Sequence, residues 1–254
     1  MKDTYLLSDI GNTSYDFGLY FDGIEKTIKI SLGDTKQLND FIGSIRTDIK
    51  YCMISSVNHH GLENLLNTLD SQSIPHGEVT PGIMDDFCKK KGYDVENTSY
   101  LGSDLFCDII APEKGGVIII DLGTVGKILF LDENKKFHGA SIFPDIQQFA
   151  MMTNSSTDLL NESLIDPNPP LVSLKTKECI SSGAIHGMCA LVSGLVKRIN
   201  QEYHHQSPYS LYLTGGCSNM IKNHLKDYDI GEFIYDPTLC LKGVAKLMKE
   251  SLKK

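Results

Sequence analysis

The chain has 254 residues, with 24 Lys and Arg against 32 Asp and Glu, for a formal net charge of −8. That length suits one large domain or two of ordinary size, and a composition 41% hydrophobic and 22% charged is globular usage that argues against extensive disorder. The acidic balance argues against nucleic acid as a partner, because phosphate binding needs clustered Lys and Arg, and the one basic run, Lys89-Lys90-Lys91, is short.

In chain order, the first strand signal is the run Tyr5-Leu6-Leu7-Ser8, which ends in Asp9-Ile10-Gly11-Asn12-Thr13. Phe17-Gly18-Leu19-Tyr20-Phe21 follows, then an Asp22-Gly23 turn and the alternating segment Thr27-Ile28-Lys29-Ile30. A strand over 52–57 and a helix over 62–69 continue this half. Leu101-Gly102-Ser103-Asp104 precedes an apolar, helix-like run over 106–111, where Asp104 could simply cap a helix. Pro, charge and two Gly interrupt the pattern over 112–116, which predicts an N-terminal domain over 1–113 and a C-terminal domain over 114–254.

The second half opens like the first. Val117-Ile118-Ile119-Ile120 runs into Asp121-Leu122-Gly123-Thr124, and Ile128-Leu129-Phe130-Leu131 precedes an Asp132-Glu133-Asn134 turn and a third strand over 137–143. A helix over 176–203 and a strand over 210–213 follow, the strand leading into Thr214-Gly215-Gly216. After a short strand over 233–235, Asp236 as N-cap and Pro237 at the first helical position open the last helix. The repeated opening predicts an α/β protein of two related domains with a cleft between them.

No stretch approaches the roughly 20 apolar residues of a membrane span, and the first residues lack a signal-peptide pattern. Seven Cys, an odd number without close pairing, read as reduced, mostly buried thiols of a cytoplasmic protein. His59-His60 and His204-His205 have no further ligand at metal spacing and read as surface pairs, so zinc is not expected.

One Asp-x-Gly commonly just makes a turn. Two with matching flanks, each carboxylate at a strand-to-turn junction, point to a site. Gly lets backbone N–H groups approach an anion, the Asn or Thr beside it supplies neutral hydrogen bonds, and the Asp can hold Mg²⁺ through water or a monovalent cation. That combination suits a nucleoside triphosphate with its metal. Gly215-Gly216 could place backbone beside a base or ribose, or could merely make a tight turn. Asp104 is the candidate to take a proton from a substrate hydroxyl as that oxygen attacks the γ-phosphate. Competing motifs fail. Gly123-Thr124-Val125-Gly126-Lys127 lacks P-loop spacing and has Ile128 in place of Ser or Thr, and neither GxGxxG after a strand nor GxSxG occurs.

Taken together these residues resemble the type III pantothenate kinases of bacterial coenzyme A synthesis, over nearly the whole chain. The family's D-x-G-N-T looks like Asp9 to Thr13, its S-S-V like Ser55-Ser56-Val57, its L-G-x-D like Leu101 to Asp104 and its D-x-G-T like Asp121 to Thr124. Thr176 with Ser182-Gly183 and Gly187, Thr214-Gly215-Gly216, and Asp236-Pro237 with Leu239, Leu241 and Gly243 complete the order. The resemblance implies an actin-like, acetate and sugar kinase (ribonuclease H-like) fold and a cytoplasmic homodimer. It implies ATP-dependent phosphorylation of pantothenate with Mg²⁺ and a monovalent cation, K⁺ or NH₄⁺. It implies that Asp9, Gly11, Asn12 and Thr13 contact ATP phosphates and metal, and that Thr124 contacts ATP, as Gly215 and Gly216 would. Asp104 would accept the proton, and Asp121 would ligate the monovalent cation. Gly102 and Ser103 would line the substrate pocket, with Thr176 reaching pantothenate from the dimer-forming half.

The chain also departs from that pattern. Asp16 stands where the family usually has Lys, which would neutralise phosphate charge. Leu105 replaces an Arg that would pair with the pantothenate carboxylate. The family's Tyr falls at Val95, with Tyr93 and Tyr100 as substitutes. Val125 and Lys127 replace Ala and Thr, and Asp145 replaces a Gly. Lys127 is a candidate replacement for the missing positive charge. A pantothenate kinase is the favoured reading, against a kinase of another small hydroxyl compound or a non-catalytic scaffold or regulator that kept the fold.

Overall fold

The computed structural model describes residues 3–155, 165–203 and 208–253. Elements follow in chain order. Three strands, β1 (Thr4–Ile10), β2 (Ser14–Tyr20) and β3 (Ile24–Ser31), lead to α1 (Thr35–Ile45), β4 (Ile49–Ser56), α2 (His59–Ser71) and β5 (His76–Glu78). Then come α3 (Pro81–Lys91), α4 (Ser103–Ile110), β6 (Val117–Leu122), β7 (Val125–Leu131), β8 (Phe137–Pro144), α5 (Ile146–Ser155) and α6 (Thr176–Glu202). The chain ends with β9 (Ser210–Thr214), α7 (Ser218–Ile221), β10 (Phe233–Tyr235) and α8 (Leu239–Ser251).

Two sheets carry the duplication. The first has the order β3-β2-β1-β4-β5 and the second, read from its other side, β8-β7-β6-β9-β10. In each, the leading strand pairs antiparallel with its hairpin partner and parallel with the strand that returns after a helix. The class is the expected α/β. The chain divides into two compact units: Met1–Glu113 with Lys135–Phe137 and Thr238–Lys254, and Lys114–Asn134 with His138–Pro237. The expected division at 113/114 differs from this at the C-terminus, because α8 packs into the first unit.

In the first unit, Leu6 and Ile10 of β1 share a core with Leu38 and Ile42 of α1 and with Leu65 and Leu69 of α2. Strand alternation sends Leu7 and Asp9 to the opposite face. There α8 buries Leu239, Leu241, Val244, Leu247 and Met248. Gly243 lets α8 cross α4 at backbone contact: a Cβ there would collide with the carbonyl of Cys107. The Lys246 ammonium donates to the carbonyls of Ile110 (3.0 Å) and Pro112 (3.2 Å), filling acceptors left open at the end of α4. Local signals set the other helices. Asp34 and Asn58 cap α1 and α2 by accepting from Gln37 and Gly61 N–H, and α3 begins with Thr80-Pro81 and stops at Gly92, whose φ is 71°. The run Lys89-Lys90-Lys91 lies in the last turn of α3, where cations complement the helix dipole, and Lys91 pairs with Glu250 at 2.9 Å.

In the second unit, Ile118, Ile120 and Leu122 of β6 pack with Ile185, Met188, Val192 and Val196 of α6. α6 is 27 residues long and apolar enough to span a membrane by length and composition, which corrects the expectation that no stretch comes close. Half of its apolar window is buried in the unit, through Ile185, Met188, Val192 and Val196 among others. The last helix also starts later than expected. Asp236 N–H donates to Leu213 O (2.9 Å), which keeps Asp236 in the extended backbone beside β9, so Thr238 occupies the cap and makes no side-chain capping bond. His59 and His60 are exposed, and His204-His205 lies outside the described residues.

Candidate functional site

In the first unit, β1 carries Asp9 to the end of its sheet on the α4–α8 face. The turn beyond it, holding Gly11, Asn12 and Thr13, is closed by Gly11 N–H donating to Ser14 O at 3.0 Å, and it leaves Asn12 and Thr13 exposed. β4 runs parallel to β1 with Ser55 beside Asp9 in register. Ser55 Oγ donates to Asp9 Oδ1 at 3.2 Å and lies 3.0 Å from Ser103 Oγ, which accepts from Ser56 N–H at 3.0 Å. These contacts join Ser56, Ser103 and Ser55 to the Asp9 carboxylate, and they run in one direction only where Ser103 gives its single hydrogen to Ser55 Oγ. Ser56 O, 3.1 Å from Ser103 Oγ, is the other acceptor open to that hydroxyl.

Ser103 opens α4, so the chain also fixes Asp104. Gly102 is the N-cap position and Asp104 stands in the first turn, its Oδ1 accepting from Leu105 N–H at 2.8 Å. A carboxylate is favoured there by the helix dipole and by N–H groups that lack helical partners. Asp104 is thus the chain neighbour of a serine that is hydrogen-bonded towards Asp9, while its own carboxylate is held by Leu105 N–H. Behind it the buried Cys107 thiol is pushed up, first by burial and then by the carboxylates of Asp9, Asp108 and Asp104.

Asp16 lies directly across the β1–β2 ladder from Asp9, and Lys29 lies directly across from Asp16 on β3. Lys29 Nζ and Ser14 Oγ each stand 3.1 Å from Asp16 Oδ2. The positive charge that Asp16 displaces is therefore present one strand further out. Alternation along β3 was the signal for Lys29, which motif reading had passed over. Leu105 is half-buried and brings no charge. Of the substitute tyrosines, Tyr93 packs against Phe87 under the Lys135 ammonium, while Tyr100 is 91% exposed.

In the second unit, β6 carries buried Asp121 as its next-to-last residue, with half-buried Gly123 and Thr124 in the turn beyond. β7 sets Lys127 opposite Asp121, and Lys127 Nζ lies 3.0 Å from Asp121 Oδ2. β9, parallel on the other side, sets Thr214 beside Asp121. Gly215 takes φ 89°, and a Cβ there would strike Asp121 Oδ1 and the Leu122 backbone, so only glycine fits this turn. Cys217 N–H closes it on Leu122 O at 2.8 Å, leaving Gly216 exposed. Asp145 caps α5 by accepting from Gln148 N–H at 2.7 Å, a local role for the residue that replaces Gly. Thr176 is exposed at the first position of α6. Among the described residues no three His, Cys, Asp or Glu side chains gather as a metal cluster. A cation here would be held by isolated carboxylates together with groups of the bound nucleotide.

Comparison with known proteins accords with this arrangement. Residues 5–198 match the type III pantothenate kinase family. A type III pantothenate kinase of Exiguobacterium sp. is 25% identical over 98% of this chain and 99% of its own length. One of Persephonella marina is 28% identical over 93% and 94%. Among solved structures, a Campylobacter jejuni protein described as a Baf family transcriptional activator superposes with TM-score 0.63 at 21% identity, over 98% of this chain and 100% of that one. The activator of the 2-hydroxyisocaproyl-CoA dehydratase from Clostridium difficile, with bound ADPNP, superposes with TM-score 0.51 at 14% identity, over 100% and 98%. These likenesses show the actin-like fold, and the family match goes further: the chain belongs to the type III pantothenate kinase family.

Proposed function

We propose that this protein transfers the γ-phosphoryl group of ATP to the primary hydroxyl of pantothenate, giving 4′-phosphopantothenate at the start of coenzyme A synthesis. The observation that carries this reading is the hydroxyl chain joining Asp9 to the helix start that bears Asp104. Phosphoryl transfer is catalysed by positioning and charge neutralisation, and tying the strand that bears Asp9 to the start of the helix that bears Asp104 serves positioning.

Asp104 takes the hydroxyl proton as the oxygen attacks. Gly11, Asn12 and Thr13 contact the phosphates, with Thr124, Gly215 and Gly216 contributing to nucleotide binding. Asp9 is a hard oxygen donor suited to Mg²⁺, which when bound neutralises charge on the triphosphate. Gly102 and Ser103 border the acceptor, and Thr176 contacts it from a second copy of the chain. A homodimer is supported by exposed apolar side chains in the second unit: Met151, Met152, Leu171, Val172 and Leu174. The family relationship and the free thiols favour a cytoplasmic setting.

One observation favours a second acceptor. Leu105 cannot make the bidentate bond that Arg makes to a carboxylate, so an uncharged pantothenate-like alcohol would suit this pocket better than the family's Arg allows. The test is label transfer from ATP to pantothenate and to a panel of its neutral amides and alcohols. Asp104→Asn keeps the acceptor for Leu105 N–H and should lower transfer by about a thousandfold while leaving ATP affinity within severalfold. Full activity in that variant removes Asp104 from the chemistry, and ATP binding without transfer to any panel member leaves a nucleotide-binding scaffold.

A further inference from the structure

The second Asp-x-Gly junction does not fit an exchangeable monovalent cation. The family resemblance would make Asp121 the ligand of such an ion. In this chain Lys127 Nζ stands 3.0 Å from Asp121 Oδ2, and the two side chains are only 16% and 12% exposed. The contact follows from strand register, because Asp121 and Lys127 face each other across the antiparallel β6–β7 ladder and their side chains share one face. The other carboxylate oxygen, Oδ1, lies against the Gly215 turn. A K⁺ or NH₄⁺ ion bound to this carboxylate would meet the Lys127 ammonium at contact distance in a poorly solvated place, where like charges repel strongly.

We propose that Lys127 is a covalently tethered replacement for the monovalent cation, so that nucleotide handling by this protein is independent of K⁺ and NH₄⁺. The ammonium carries the same single charge as K⁺ and donates hydrogen bonds as NH₄⁺ does. Held by its own strand, it loses less freedom on ordering than an ion drawn from solution. The first junction differs: there Asp16 faces Asp9 across the ladder, and the Lys29 ammonium is engaged with Asp16. Lys127 is on this account a positioning residue that acts through Asp121, and the proposal rests on the ATP-binding reading.

The test compares the native chain and Lys127→Met in KCl and in tetramethylammonium chloride at equal ionic strength. ATP–Mg²⁺ affinity is measured by calorimetry, and melting of nucleotide-free protein is followed in parallel. The native chain should bind ATP equally, within twofold, in both salts. Lys127→Met should bind at least tenfold more weakly in tetramethylammonium and recover in KCl or NH₄Cl, which a merely structural lysine would not produce. Its nucleotide-free melting temperature should also rise in KCl, while that of the native chain should not. A tenfold loss of native affinity without K⁺ overturns the proposal, as does a Lys127→Met variant that is indifferent to the salt. Should Lys127→Met fail to fold, native affinity in the two salts decides alone. If no ATP binds in any salt, the kinase reading falls separately, and melting decides: potassium-specific stabilisation of the native chain refutes tethering, and its confinement to Lys127→Met supports it.

Discussion

The junctions at Asp9 and Asp121 share a backbone plan and differ in what stands across the ladder. Each Asp is the next-to-last residue of the leading strand of its sheet, precedes a glycine turn and is flanked by a parallel strand that returns after a helix. Across from Asp9 is another carboxylate, Asp16, whose ammonium partner is mostly solvated. Across from Asp121 is an ammonium in direct contact and largely out of water. Duplicated geometry has thus been given different electrostatics, a carboxylate facing Asp9 and an ammonium facing Asp121. Burial decides how much each pairing is worth, since exposed pairs are screened while breaking a buried pair strands a charge.

The sharpest way to break this comparison is to make the same substitution in both rows. Asp121→Asn leaves the Lys127 ammonium facing a neutral amide in a place 16% exposed, and should cost about 3 kcal/mol of unfolding free energy. Asp16→Asn leaves Lys29, which is 58% exposed, to be solvated, and should cost less than about 1 kcal/mol. Urea denaturation of the two variants beside the native chain gives both values. Equal losses would mean that the Asp121 pair is no more desolvated than the surface one. Raising the salt concentration should shrink the smaller loss and leave the larger one nearly unchanged.

Much of this contrast was open to reading before any coordinates. The repeated Asp-x-Gly openings and apolar runs fixed β1, β2, β6 and β7, because buried strands advertise themselves by continuous apolar residues and turns by Asp and Gly. Lys127 was visible as a displaced charge. Its contact with Asp121 was not, since that depends on hairpin register, and a shift of one residue would have sent the side chain to the other face. Lys29 could be read from the alternation of β3, but its place opposite Asp16 again depended on register. The Ser55–Ser103 link joins segments far apart in the chain and has no local signature. The start of α8 was misplaced because Asp236-Pro237 is a strong local cap signal, overridden when the Asp236 backbone paired with Leu213.

An intermediate effect should come from the turn beside Asp121. Gly215→Ala must hold φ near 89° with a methyl group driven at Asp121 Oδ1 and Leu122, so it should cost about 2 kcal/mol. Its effect should also spread to the Lys127 pair. Measured in the Asp121→Asn background, the alanine should cost less than in the native chain, because the amide, equally bulky but no longer ion-paired to Lys127, is freer to turn aside. A double-mutant cycle reads that coupling, and simple additivity would place the strain in the backbone alone.

The smallest effect is a difference in thiol chemistry between the two junctions. Cys107 lies behind Asp9 and Asp104, fully buried, and burial with those carboxylates raises its pKa, so it holds less thiolate than an ordinary cysteine at any pH near neutral. Cys217 follows Gly215-Gly216, half-buried, with its Sγ 3.2 Å from Asp145 Oδ2. Reaction requires both thiolate and access. A chromogenic disulfide at pH 8 should therefore label exposed Cys179 first and Cys217 at an intermediate rate. Cys88, pushed up to about 11 by burial, and Cys107 should follow only as fast as the fold opens. At that pH about one Cys88 side chain in a thousand would be thiolate even with full access. Saturating ATP should slow Cys217 severalfold if the Gly215-Gly216 turn lies against the nucleotide, and should leave Cys179 unchanged. Mass mapping of the labelled sites over time separates the two. Rapid labelling of Cys107 in the native chain would show that the first junction is open to solvent from behind, and the positioning argued from the Asp9–Ser55–Ser103 contacts would fail with it.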